Sequence, residues 1–188
     1  MEHLIKNTEE AERARVTIVV FARDTDKRAR EEVRAVVANF SQPLAAGMLQ
    51  LIQAPQSIYQ GLASTQVNVQ AVENLYSAFL VAYCSNMSQY YLQLSDSIRA
   101  VPGYVSAIHA FIKSQGPRYW VTLDFVPDAP VGKLIRAGGR DETQLRYLLI
   151  DLCSTLPADQ VYGYFRRLNA QKKPLIHEKP LFEPLPNL

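Results

Sequence analysis

Residues 35–98 read AVVANFSQPLAAGMLQLIQAPQSIYQGLASTQVNVQAVENLYSAFLVAYCSNMSQYYLQLSDSI. No Lys or Arg occurs between Arg34 and Arg99, and the acids in between are Glu73 and Asp96 alone. A soluble domain is roughly 25% charged, so about sixteen ionised side chains belong in a stretch of this length. Their place is taken by Gln, Ser and Asn, among them Gln42, Gln50, Gln53, Gln70, Asn74, Asn86, Gln89 and Gln93. Drying an unpaired ion is expensive, and the centres of protein interfaces are depleted of charge for that reason. The belt therefore reads as a surface that other protein covers, with Gln70, Asn74, Tyr83, Met87, Tyr90 and Gln93 at the subunit contact.

The same belt suggests a long helix. Val69, Val72, Tyr76, Phe79, Tyr83, Met87, Tyr90 and Leu94 advance in steps of three and four, the spacing of one helical face. A helix over 69–98 is a rod of roughly 45 Å. Pro102-Gly103 stops it, and a further helix follows from Tyr104 to Lys113. Upstream, Pro43 suits the first turn of a helix through Leu44, Met48, Leu51 and Ile52, and Gln56 to Ala63 reads as a short helix or turn.

The first forty residues carry eight charges of each sign. Glu9 to Arg15 are helix formers with acids early, and Thr8 suits an N-cap. Val16 to Phe21 are β-branched enough for a strand. The reading leans to helix over 8–23, with the strand as its alternative. Asp24-Thr25-Asp26 breaks the chain and caps a clearer helix, Lys27 to Phe40, with Val33, Val36, Val37 and Phe40 on one side. The pair forms a charged helix–turn–helix arm.

Downstream, Tyr119 to Val126 is the best strand candidate, by alternation and aromatic content. Gly138-Gly139 precedes a helix over 141–154 capped by Asp141, with Leu145, Leu148, Leu149 and Leu152 inward, and Pro157 opens a last helix through Val161, Tyr164, Phe165 and Leu168. From Lys172 onward Pro174, Pro180, Pro184 and Pro186 alternate with apolar residues. This tail reads as an extended arm whose Phe182 rests on a neighbouring subunit, a strap across its own domain being the alternative. The expected fold is thus mainly α: an arm over 1–40, a helical bundle over 41–171 with at most a short β element near 119–126, and an extended tail over 172–188.

Chemical motifs are sparse. Cys84 and Cys153 lack metal-ligand spacing and read as small core hydrophobes. His3, His109 and His177 stand singly, with His109 on the apolar side of its helix. Gly138-Gly139 ahead of a helix could hold an anion on free N–H groups, although Gly-Gly is more often a turn. No nucleophile–base pair is visible, so neither enzyme nor cofactor nor metal is expected. An unrecognised site around Tyr119-Trp120 and Gly138-Gly139-Arg140 is the remaining enzymatic reading. Apolar runs are far shorter than the roughly twenty residues that span a bilayer, so no transmembrane segment is expected.

Net charge is +2, with 20 basic against 18 acidic residues, which by itself demands no nucleic acid. Arg23, Lys27, Arg30 and Arg34 nevertheless share a helical face that could lie along phosphates, and Arg166, Arg167, Lys172 and Lys173 form a second basic group. Asp26, Glu31 and Glu32 interrupt the first cluster and favour intrahelical pairing.

Together with Ser57-Ile58-Tyr59-Gln60-Gly61 and Pro102-Gly103-Tyr104-Val105-Ser106, these features resemble the major coat proteins of filamentous and rod-shaped double-stranded DNA viruses of hyperthermophilic archaea. The resemblance covers residues 8–110. It implies a structural subunit that polymerises on the genome in a virion, alongside like subunits. DNA-backbone contact would come from Arg13, Arg15, Arg23, Lys27, Arg28, Arg30 and Arg34, on an arm less basic than that family's. The alternative is a cytoplasmic helical adaptor in a multiprotein complex, without a nucleic-acid role.

Overall fold

A computed structural model describes residues 1–24, 26–55, 69–126 and 131–185. The fold is mixed α/β, not mainly α. Among the described residues seven helices alternate with seven short strands in three sheets. The helices are α1 (Glu2–Asn7), α2 (Lys27–Ala38), α3 (Ser41–Ala45), α4 (Val69–Cys84), α5 (Tyr104–Ser114), α6 (Arg140–Asp151) and α7 (Ala158–Leu168). The strands are β1 (Ile18–Phe21), β2 (Leu49–Ile52), β3 (Tyr90–Gln93), β4 (Ile98–Ala100), β5 (Leu123–Asp124), β6 (Lys133–Arg136) and β7 (Phe182–Pro184).

The expected helix–turn–helix arm is the first half of a βαβ unit. β1 pairs in parallel with β2, in register from Ile18 opposite Leu49 to Phe21 opposite Ile52, and α2 and α3 make the crossover. Four β-branched or aromatic side chains in a row decide β1 once a partner strand is present. Before it, the charged segment Glu10–Arg15 makes only a 3₁₀ helix. Thr8 is not an N-cap. It closes α1, donating from Oγ1 to the Leu4 carbonyl at 2.7 Å and sharing a 2.9 Å hydrogen bond with the Tyr104 hydroxyl. Asp26 does cap α2, accepting from the Arg28 and Ala29 N–H groups. Within α2 Val37 is buried while Val36 is exposed. The proposed third helix stops at Ala45, and its second half is β2. The turn read at 56–63 lies outside the described residues.

No 45 Å rod exists. α4 ends at Cys84, and Tyr90–Gln93 pairs antiparallel with β6. The second half of the apolar stripe is β-rich Tyr90-Tyr91-Leu92, whose side chains alternate between faces, so helical spacing there was coincidental with strand composition. β5 is only two residues of the candidate strand, and it joins the other edge of β6. The tail is a strap on its own domain. β7 pairs with β4, Leu175 accepts from Asp124 N at 2.8 Å, and His177 N donates back to the Asp124 carbonyl at 3.0 Å.

Three packed groups hold the chain. Ala78, Val81 and Cys84 of α4 meet Leu145 and Leu149 of α6 and Val161 and Phe165 of α7. Trp120, Leu123, Phe125 and Phe182 gather with Tyr104, Val105 and Ile108 of α5. Ile5, Val37 and Leu49 close the βαβ end. α4 is therefore covered on one side by α6 and α7 and on another by β1, where Phe21 packs edge-on against Tyr76 and tilted against Phe79. Ala71, Asn74, Ala78, Val81 and Cys84 of the uncharged belt are buried by the rest of the chain, while Gln42, Asn86 and Gln89 stay exposed.

Candidate functional site

Parallel strands carry their peptide dipoles and loops in one direction, and α/β proteins bind ligands beyond the carboxyl ends of such strands. In this chain that end follows Phe21 and Ile52. Arg23 leaves β1 and pairs with Glu73 on α4, both side chains about half exposed. The Arg23 carbonyl accepts from the Tyr76 hydroxyl at 3.4 Å. Arg34 reaches from α2 to Gln53 after β2, its Nη2 3.5 Å from Oε1. Two forked guanidinium groups thus stand at one rim, where among the described residues Arg23 pairs with an exposed carboxylate and Arg34 with an amide. An exposed ion pair is worth roughly 0–1 kcal/mol, so an incoming phosphate or carboxylate can displace Glu73 from Arg23.

A second charged group lies inside. Asp124 Oδ2 accepts from Lys133 Nζ at 2.7 Å and from Arg166 Nη1 at 3.1 Å. Burial, and then the Asp124 carboxylate, push the Tyr162 hydroxyl far above the usual phenol value. Gln171 clamps the neighbouring backbone, its Oε1 accepting from Val121 N and Thr122 N and its Nε2 donating to the Thr122 carbonyl. This cluster joins β5, β6, α7 and the strap. Among the described residues, no three His, Cys, Asp or Glu side chains come together as a metal cage.

The Gly138-Gly139 turn is occupied by the chain itself, since buried Glu142 Oε2 accepts from Gly138 N at 2.7 Å. Gly139, not Asp141, is the N-cap of α6. His109 is exposed rather than packed. Arg166 is not a surface phosphate ligand, because it is committed to Asp124.

Of the residues nominated for the nucleic-acid backbone, Arg13 and Arg15 lie exposed on the 3₁₀ segment, and Arg23 has left the α2 face. Lys27 pairs with Glu31 and Arg28 with Glu32, each four residues on, while Arg30 stays on α2. Of the belt residues, Asn74 is wholly buried and donates to the Cys153 and Leu156 carbonyls at 3.4 and 2.7 Å. Tyr83 donates to Gln50, Tyr90 stacks on Trp120, Tyr91 bonds Gln93, and Met87 packs on the helical core. Gln70 is half-buried in the first turn of α4, and Phe182 packs edge-on against Tyr104. Sequence reasoning passed over Asp124 and Glu142. A lone acid inside the apolar run Val121-Thr122-Leu123-Asp124-Phe125 was the available signal, because a charge there needs a buried partner.

Comparison with known proteins gives a different answer from the coat-protein resemblance. The family profile described as MGAT4 conserved region matches residues 1–173. The chain is 30% identical over 178 residues to the alpha-1,3-mannosyl-glycoprotein 4-beta-N-acetylglucosaminyltransferase C of Sus scrofa, covering 89% of this chain and 37% of that protein. It is 28% identical to the alpha-1,6-mannosyl-glycoprotein 4-beta-N-acetylglucosaminyltransferase of Gallus gallus, over 97% of this chain and 41% of the relative. The chain thus spans well under half the length of these relatives. No solved structure matches it.

These relatives overturn the expectation of a virion subunit, and with it the genome-binding role, the nucleic-acid partner and the placement in a virion. The adaptor alternative and its cytoplasmic placement find no support among them, and the expectation that no enzyme is involved is corrected, because the relatives are transferases. The physical reason for the misreading is the belt. Asn74 and the apolar residues of α4 are buried within this chain while Gln42, Asn86 and Gln89 stay exposed, and the balanced charges of the presumed arm pair along α2 rather than along phosphates. Among the described residues no helix is long and apolar enough to cross a membrane.

Proposed function

Because the chain belongs to the family of the MGAT4 conserved region, we propose that it is the donor-binding part of a glycosyltransferase that delivers N-acetylglucosamine to a mannose residue of a glycoprotein glycan. Such transfer breaks the bond between the sugar C1 and a phosphate oxygen. It forms a bond from C1 to an acceptor hydroxyl oxygen, whose proton passes to a base. The nucleoside diphosphate leaves with the electron pair, so the site must bind a diphosphate. The observation that carries the reading is the rim at the carboxyl end of β1 and β2, where Arg23 and Arg34 present forked donors beside the parallel pair. In this reading Glu73 holds Arg23 until the diphosphate takes its place, and Gln53 orients Arg34.

Calorimetric titration of the purified chain with UDP-N-acetylglucosamine tests it. Binding weakened about tenfold or more by Arg23→Ala supports the assignment, as loss of one charge-assisted fork should. No heat of binding at millimolar donor, or an affinity indifferent to both Arg23→Ala and Arg34→Ala, refutes it.

A further inference from the structure

Two Asn-x-Ser/Thr tripeptides occur in the chain, Asn39-Phe40-Ser41 and Asn86-Met87-Ser88, both inside the uncharged belt. Such a tripeptide on a surface loop is an acceptor for an asparagine-linked glycan. Other asparagines have their amides engaged. Asn74 is wholly buried, Asn7 donates to the Ala100 carbonyl at 2.7 Å, and Asn169 donates to Gln144 Oε1 and to the Phe165 carbonyl, each at 2.9 Å. Asn86 is exposed, and among the described residues its side chain forms no hydrogen bond. It is the third residue of the turn that ends α4, where Met87 N donates to the Cys84 carbonyl at 3.0 Å. Ser88 is exposed too, its hydroxyl donating to the Tyr90 carbonyl at 2.5 Å. The other tripeptide is less open, because Asn39 closes α2 and Phe40 packs against Ile5, Val37 and Leu49.

We infer that Asn86 is a modification site of this chain, the acceptor of an N-linked glycan. In that step Asn86 Nδ2 forms a bond to C1 of an oligosaccharide carried on a lipid diphosphate. The bond from C1 to the phosphate oxygen breaks, the lipid diphosphate leaves with the electron pair, and the amide proton passes to a base of the attaching enzyme. That the chain meets this donor rests on the transferase reading above, since an enzyme acting on glycoprotein glycans works in the compartments that hold them. The position suits a bulky group. α4 runs against the parallel strands: Tyr76 bonds the Arg23 carbonyl beyond the end of β1, while Tyr83, roughly 10 Å further along the helix, bonds Gln50 near the start of β2. Asn86 comes three residues after Tyr83, so it lies at the end of the strands opposite the Arg23 and Arg34 rim. A glycan there leaves the rim clear. It also gives a reason for a surface that is exposed yet carries no ionised side chain: Asn86, Ser88 and Gln89 all face outward, and sugar hydroxyls would hold water there in place of charges.

Expression of the full chain behind a cleavable secretory leader in human cells, followed by peptide mass spectrometry before and after peptide-N-glycosidase digestion, tests the site. The peptide holding Asn86 should carry a glycan that the digestion removes, leaving an aspartate in place of the asparagine. Asn86→Gln and Ser88→Ala should each lose that mass shift completely, and Ser88→Thr should keep it because the hydroxyl remains. Both positions are exposed, and circular dichroism of each secreted variant checks that the fold persists. An unmodified Asn86 in the secreted chain, or a mass shift unchanged by Asn86→Gln, overturns the site. A separate UDP-N-acetylglucosamine titration of the glycosylated and the digested chain should give the same affinity, and a changed affinity would refute the placement away from the rim. A glycan on Asn86 without donor binding defeats the donor rim and leaves this site standing, whereas donor binding with Asn86 unmodified does the reverse.

Discussion

Lys133 Nζ lies 2.7 Å from Asp124 Oδ2, and neither side chain is more than 6% exposed. Two charges taken out of water at this depth are stabilising only as a set, with Arg166 as the third member. Removing Asp124 leaves Lys133 buried without its counterion, which costs about 3–5 kcal/mol. Asp124→Leu should therefore lower unfolding stability by about that amount. Pairing it with Lys133→Met should recover much of the loss, since Arg166 is partly exposed and can reach water. Urea unfolding of the two single variants and the double closes the cycle, and simple additivity would show that the contact is not coupled.

Asn74 is the belt residue with the clearest physical role. Its amide ties α4 to the turn between α6 and α7 through the Cys153 and Leu156 carbonyls, at 0% exposure. Asn74→Leu removes both bonds and leaves two carbonyls dry, and should cost about 2–4 kcal/mol in chemical denaturation. A neutral outcome would mean that water replaces the amide there.

The two thiols should behave differently. Burial, followed by the nearby Glu142 carboxylate, pushes the Cys84 thiol up to about 11, and Cys153 is partly exposed. The thiolate is the reactive form, so iodoacetamide near pH 8 should label Cys153 in the native protein and Cys84 only after unfolding. A raised value also means that the neutral thiol is favoured on folding. Its contribution is full below the unfolded value of 9.0 and is lost as pH rises toward about 11. Tyr162 and Tyr91, raised chiefly by burial, add the same sign from about pH 10 upward. Stability measured from pH 8 to 11 should fall, and Cys84→Ala should flatten its lower part.

Gly132 has φ +73°, and a Cβ built on it would lie 2.6 Å from Val126 Cγ2 and 2.8 Å from Val126 N. Its N–H donates to the Gln93 carbonyl and its carbonyl accepts from Phe125 N, so the turn joins β3, β5 and β6. Gly132→Ala should destabilise by about 1–3 kcal/mol through strain and backbone displacement together. Gly47→Ala shares the positive φ but has open space around it, so it should cost less. Thermal melts of the two variants compare clash with strain directly.

What the sequence determined by itself was local. The Asp26 cap and the helix it starts, the α5 segment after Pro102-Gly103, the buried Leu145 and Leu149, and the helix opened by Pro157 all follow from spacing and capping within a few residues. The tertiary structure decided what depends on distant partners. Ile18–Phe21 becomes a strand because Leu49–Ile52 lies beside it, and Tyr90–Gln93 because Lys133–Arg136 does. The tail turns inward because Phe182 finds Tyr104 and the strand at Ile98. Charge depletion does not say what covers a surface: Asn74 is buried within the chain, while Asn86 and Gln89 are exposed. The rim of Arg23 and Arg34 was visible as charge, but its position beyond two parallel strands exists only once those strands pair.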